Sequence, residues 1–157
     1  MAEKDKLKIT APEPLPEPGW TPLMELPDYG EGQQFTSGEK NRLRIAFFIH
    51  EANKTLCAKV WFGWAAEGPP GHAHGGSIMT VMDQAMGMAV FVAGYLPMAA
   101  SVSVQFRKKL PLGTDATLEA RVTRVDGRKI HVKSTLYSQE KNIVFAEAEA
   151  LSIAQSV

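Results

Sequence analysis

From about Gly75 to Val92 the chain contains no proline, and Ile78, Met79, Val81, Met82, Met86, Met88, Val90 and Phe91 leave the stretch with almost no polar side. This pattern predicts a helix, and a helix apolar nearly all round must be covered over most of its surface. The rest of the chain is the expected cover. Asp83 and Gln84 interrupt this longest apolar stretch, so no membrane span is expected.

What flanks the helix has a different period. Leu43, Ile45, Phe47 and Ile49 alternate with Arg44 and Ala46, which predicts a half-buried strand starting near Asn41. Leu56, Ala58, Val60 and Phe62 alternate in the same way after the turn residues 51–54, as an antiparallel hairpin partner would. Residues 67–73 form a loop by their glycine and proline content. Beyond a turn at 94–97, four further alternating runs follow: Val102-Val104-Phe106, Leu118-Ala120-Val122, Ile130-Val132-Ser134-Leu136, and Ile143 to Ile153. Asp126-Gly127 is a strong hairpin signal between the second and third of these. Two strands, one long buried helix and four strands make an α+β order, an antiparallel sheet curling around a helix.

Residues 1–34 carry six of the ten prolines, including the run from Pro12 to Pro18, and are expected to form an extended arm. Trp20, Leu23, Met24 and Leu26 are the side chains able to pack it onto a single domain spanning 35–157. Seventeen basic residues balance seventeen acidic ones, which argues against general nucleic-acid binding. The start, MAEKDKLKIT, has no apolar segment of the secretory type, so a cytoplasmic protein is expected. Cys57, the lone cysteine, lies in an alternating apolar run and reads as a small buried hydrophobe.

Chemistry concentrates where the loop becomes the helix. The first N–H groups of a helix lack internal partners and carry partial positive charge. At His74-Gly75-Gly76 the glycines allow a carbonyl to approach the backbone, so an N–H of Gly75 or Gly76 can donate to an oxyanion; a plain glycine-rich helix start is the alternative. Asp83 is the lone acid of the helix. Desolvation there would raise its pKa and suit it to act as a general base, whereas a structural Asp would bond a neighbouring group.

Helix geometry constrains this pair. Nine residues at 1.5 Å each put His74 and Asp83 about 13 Å apart along the axis and about half a turn apart in azimuth. One reaction centre can use both only if two helices run antiparallel across a two-fold axis, which predicts a homodimer with two sites.

The segment Gly68-Pro69-Pro70-Gly71-His72-Ala73-His74-Gly75-Gly76, followed by Asp83, resembles the PaaI-like branch of the hotdog-fold acyl-CoA thioesterases, over roughly residues 40–155. The resemblance implies a hotdog domain that hydrolyses acyl-CoA without a cofactor. It implies Gly75 as oxyanion donor and Asp83 as base or nucleophile, in a site shared between subunits. It also implies that His74 orients the loop and that dimers can pair into tetramers. Such proteins place a Ser or Thr before the strand after the helix to position the attacking water, where this chain has Ala99; either Ser101, the nearest hydroxyl, substitutes through a small register shift or the enzyme works without that group. The basic stretch Arg107-Lys108-Lys109 is implied to meet the phosphates of coenzyme A, or else is a solvated strand end.

His72 and His74 have a metal-compatible spacing but no third ligand nearby, so no metal is expected. Met79, Met82, Met86 and Met88 read as core, with an adaptable acyl tunnel as a compatible role. Two other readings stay open: a hotdog dehydratase acting on a hydroxyacyl or enoyl thioester, and an acyl-CoA-binding protein without turnover.

Overall fold

The computed structural model describes residues 9–24, 35–36 and 40–155. Its seven strands are β1 (Trp20–Pro22), β2 (Leu43–His50), β3 (Leu56–Phe62), β4 (Ala99–Phe106), β5 (Asp115–Asp126), β6 (Lys129–Ser138) and β7 (Val144–Ile153), with helix α1 (Gly75–Val92) between β3 and β4. All strand pairs are antiparallel, in the order β1-β2-β3-β5-β6-β7-β4. The chain leaving α1 therefore crosses to the far edge, lays down β4, and returns to the middle of the sheet for β5.

Alternation explains which side chains meet α1. Ile130, Val132 and Leu136 of β6, Leu118 and Ala120 of β5, and Ala146, Ala148 and Ala150 of β7 are buried against Ile78, Val81, Met82, Ala85, Met86, Met88, Ala89 and Val90 in one core. The β5–β6 hairpin turns at the Asp-Gly pair, with Gly127 at φ +57. At its end α1 closes through two reversed bonds, Gly94 N–H to Phe91 O at 2.9 Å and Tyr95 N–H to Val90 O at 3.2 Å, with Gly94 in the left-handed region.

The cover over α1 is one-sided, unlike the near-complete wrapping expected. Gly76, Met79 and Asp83 are exposed and Gly87 is half-buried, because the sheet curls over one flank only. The strands 43–50 and 56–62 are also less simple than half-buried strands. Every residue of β3 is buried, since the arm covers its second face.

Residues 9–17 form no helix or strand, as their prolines dictate, but the chain then adds β1 to the sheet edge beside β2. Trp20 packs on Phe48 and Cys57 in a separate apolar cluster, and Glu17 bonds the buried Lys59 Nζ at 3.0 Å. Leu23 packs against the main core, whereas Met24 is exposed; Leu26 lies outside the described residues.

Candidate active site

The loop before α1 is held by its own backbone. His74 N–H donates to Ala66 O at 2.7 Å, across the base of the loop, while Ala73 N–H to Leu110 O and Leu112 N–H to Gly71 O, each at 2.9 Å, latch the loop to the β4–β5 connection. Glu67 Oε1 accepts the Gly71 N–H at 2.8 Å, and Gly71 turns the chain at φ +75. Gly68 passes so close that a Cβ there would lie 2.7 Å from His74 Cα.

His74 is the N-cap of α1, with φ −64 and ψ 139. Its Nδ1 accepts the Gly76 N–H at 2.9 Å, and its carbonyl accepts Ser77 N–H at 2.9 Å and Ile78 N–H at 3.2 Å. The imidazole must then carry its proton on Nε2. Gly76 N–H is thereby occupied, while Gly75 N–H donates to no atom among the described residues. The two glycines that the sequence leaves equivalent are thus distinct. One amide, at the positive end of an eighteen-residue helix, points its hydrogen outward, ready for a carbonyl or anionic oxygen. Phe106, half-exposed at the end of β4, borders it: a Cβ on Gly75 would lie 3.4 Å from the Phe106 ring.

Asp83 stands on the open side of α1 and is accessible to solvent, not buried as the sequence suggests. The apolar atoms packed around its base still desolvate the carboxyl and push its pKa above the ordinary aspartate value. Its carboxylate has no hydrogen bond or ion pair among the described residues. An acid of raised pKa that no structural partner holds is equipped to take a proton from water. Within one chain α1 keeps Asp83 about 12 Å along its axis from Gly75, so the structure does not bring them together. Four cavities of the single chain lie elsewhere, and none is lined by His74, Gly75 or Asp83.

Ser101 does not join this group. A bulge between Ala99 and Ser101 shifts the β4–β7 register, but Val102 and Val104 pack on the core, and Ser101 lines an outer-face groove with Ser103, Arg124, His131 and Lys133. No serine of β4 therefore faces α1 in place of Ala99.

The basic stretch divides as well. Arg107 is tied to Glu147, Nη2 to Oε2 at 2.8 Å, while Lys108 and Lys109 are exposed without ion pairs among the described residues. His72 Nδ1 bonds Pro70 O at 2.9 Å. Among the described residues no group of three or more His, Cys, Asp or Glu side chains could hold a metal ion and no helix is long and apolar enough to cross a membrane.

Sequence reading overlooks two features near the site. Phe106 closes over Gly75, and Gly87 leaves a gap on the open side of α1 one turn after Asp83. A glycine inside an apolar helix is the available signal for the second.

Residues 70–145 match the family model of the thioesterase superfamily. The chain is 30% identical over 125 residues to acyl-coenzyme A thioesterase THEM4 of Rattus norvegicus, covering 78% of this chain and 54% of that one. It is 32% identical over 107 residues to the same-named protein of Xenopus laevis, covering 68% and 48%. The chain thus spans about half the length of these curated relatives. Among solved structures, a thioesterase superfamily protein superposes with a TM-score of 0.65 at 27% identity, over 69% of this chain and 53% of that one. A Streptococcus mutans UA159 protein solved bound to acetyl CoA superposes with a TM-score of 0.66 at 19% identity, over 85% and 96%, and shows likeness of fold alone. The match to the family model, the relatives and the antiparallel sheet around one helix agree: the chain belongs to the thioesterase superfamily and has the hotdog fold.

Proposed function

We propose that the protein is an acyl-CoA thioesterase, hydrolysing an acyl-CoA to a free acid and CoA. The free Gly75 N–H, facing outward at the head of α1, carries this reading. It can polarise a thioester carbonyl and hold the oxyanion that forms when water adds. Asp83 of a second subunit takes the proton from that water, or attacks the carbonyl itself, and the CoA thiolate leaves. The relatives named acyl-coenzyme A thioesterases support the substrate class.

Geometry supports a dimer as the unit of this reaction. Gly75 and Asp83 cannot meet within one helix, and two antiparallel helices bring them together twice. Two surfaces of the single chain suit such a partner: the open side of α1, where Met79 is 39% exposed, and the sheet edge β4, ending in Phe106 at 52% exposed. An eight-residue edge strand, paired to β7 on one side and free on the other, invites association. His74 serves to hold the loop. Lys108 and Lys109 meet the CoA phosphates, with Arg107 joining only by exchanging Glu147 for a phosphate. We place the activity in the cytoplasm, whose reducing chemistry suits the buried thiol of Cys57.

Release of free thiol from a panel of acyl-CoAs by the purified protein tests the reaction. Asp83→Asn is expected to slow it by about two orders of magnitude or more, and an unchanged rate removes Asp83 from the mechanism. One observation favours a second reading, acyl-CoA binding without turnover: β4 offers no hydroxyl to the helix side at Ala99, and Ser101 faces the outer groove. Tight CoA binding with no thiol release at any chain length would establish it.

A further inference from the structure

Glycine inside a helix weakens it relative to alanine. Where one persists, a clash, a left-handed backbone or a close approach is the usual reason. Among the described residues Gly87 has neither of the first two. A Cβ built there meets only Pro97 Cγ, at 4.0 Å, whereas one on Gly63 would lie 2.1 Å from Asn41 O. No described residue demands a bare backbone at Gly87, which leaves the close approach of a bound molecule as a reason for it.

Its place in the helix says what approaches. Asp83, Gly87 and Phe91 form an i, i+4, i+8 row, each one turn beyond the last and about 40° further round. The row starts at the Asp83 carboxyl and crosses the gap at Gly87. It ends at Phe91, which with Leu23, Val92, Tyr95 and Leu96 lines an apolar cavity of about 580 Å³. The reversed bonds that close α1 turn Tyr95 back over the helix end, forming one wall. Leu23, from the N-terminal arm, forms another.

We propose that Gly87 is a specificity-determining residue: its missing side chain opens a furrow along which the acyl chain runs from Asp83 to the cavity lined by Leu23, Phe91, Tyr95 and Leu96. The proposal rests on the thioesterase reading, which places the thioester carbonyl beside Asp83. The eight residues from Asp83 to Phe91 rise about 12 Å, and an extended hydrocarbon advances about 1.2 Å per bond, so an acyl chain of about ten carbons reaches the cavity.

The experiment compares dodecanoyl-CoA with hexanoyl-CoA, on the full chain and on Gly87→Leu. The ratio of their kcat/KM values is expected to fall about tenfold or more in the variant, as a filled apolar channel rejects the longer chain. An unchanged ratio, or an equal loss for both substrates, overturns the proposal; the second result with a weakened dimer would make Gly87 a helix contact. Gly87→Ala, whose Cβ has room, should shift the ratio less and in the same direction, and serves where the leucine variant does not fold. Calorimetric titration with dodecanoate and hexanoate separates this proposal from the reaction itself. Wild type should bind dodecanoate more tightly and Gly87→Leu should lose that preference, while equal affinities in wild type overturn the furrow. A wild-type protein with the preference but no thiol release sustains the furrow and refutes hydrolysis.

Discussion

The imidazole of His74 closes on the backbone two residues ahead, Nδ1 accepting the Gly76 N–H at 2.9 Å. This bond decides which amide at the head of α1 remains free. With Gly76 engaged, Gly75 is left as the donor, and the roles of the two glycines can be tested separately.

Gly75→Pro deletes that donor with little other change. Proline is well accepted at the first position of a helix, where its missing N–H has no internal partner. His74, at φ −64 and ψ 139, already has the backbone that a residue before proline requires. The new ring presses on Phe106, which is half-exposed and can give way. Thermal unfolding should change little while kcat falls by about two to three orders of magnitude, the usual loss on removing an oxyanion donor. Gly75→Ala keeps the N–H and should lose less. A proline variant as active as the alanine variant would exclude this amide from the reaction.

His74→Ala removes the cap and orphans the Gly76 N–H, costing about 1 kcal/mol of stability. His74→Asn restores an N-cap acceptor without an imidazole. If His74 only orients the loop, asparagine recovers both melting temperature and kcat. Recovery of stability without recovery of rate would show that the ring takes part in proton transfer.

Asp83 makes stability and activity respond to pH in opposite senses. The folded chain holds its carboxyl above the unfolded value through desolvation. Its contribution to folding is therefore fully present below the unfolded pKa and is lost as pH rises through the raised folded pKa. Asp83→Asn, which cannot ionise, should be more stable than wild type at neutral pH, with the gap closing in acid. Hydrolysis needs the carboxylate, so the acid limb of kcat against pH should lie above the ordinary aspartate range. Melting curves and rate profiles over one pH series check both, and a stability gap that widens in acid would contradict the desolvation account.

The strands and helix were legible because each buried face repeats at its own period, and the limits of α1 because residues 67–73 and 94–97 punctuate it. Relations between distant segments were not. Nothing local shows that β4 passes beyond β7 to the sheet edge, so the one-sided cover of α1 and the exposure of Asp83 were hidden. The outward aim of Ser101 depends on the alternation that places Val102 and Val104 inward, with a bulge just before it. The burial of Lys59 depends on Glu17, forty-two residues earlier, a pairing that no local pattern reveals.

That last pair ties the arm to the sheet. Lys59 is 4% exposed, with its Nζ 3.0 Å from Glu17, 3.2 Å from Thr117 Oγ1 and over the Trp20 ring. Glu17→Ala would leave the ammonium buried without its anion and beside a second cation, Lys141, that loses the same partner, although solvent access where Glu17 is 26% exposed softens the effect. A loss of about 2 kcal/mol is expected, less than a fully buried pair would show. Lys59→Met removes both the charge and its desolvation and should cost less than Glu17→Ala. Chemical denaturation of the two variants decides, and the reverse order would show that the ion pair itself is not what seats the arm.

The shared site predicts recovery of activity from two inactive proteins. Asp83→Asn chains retain an intact Gly75, and Gly75→Pro chains retain an intact Asp83. Unfolded together in equal amounts and refolded, they should give about half heterodimers, each with one site assembled from the two unmutated halves and one doubly defective. The mixture should then reach about a quarter of the wild-type rate, while each variant refolded alone stays near its own low rate. A site contained in one chain gives no recovery, because every chain carries a defect. Thiol release by the mixture therefore separates the two arrangements, and light scattering on the same samples shows whether the active species has twice the mass of the chain.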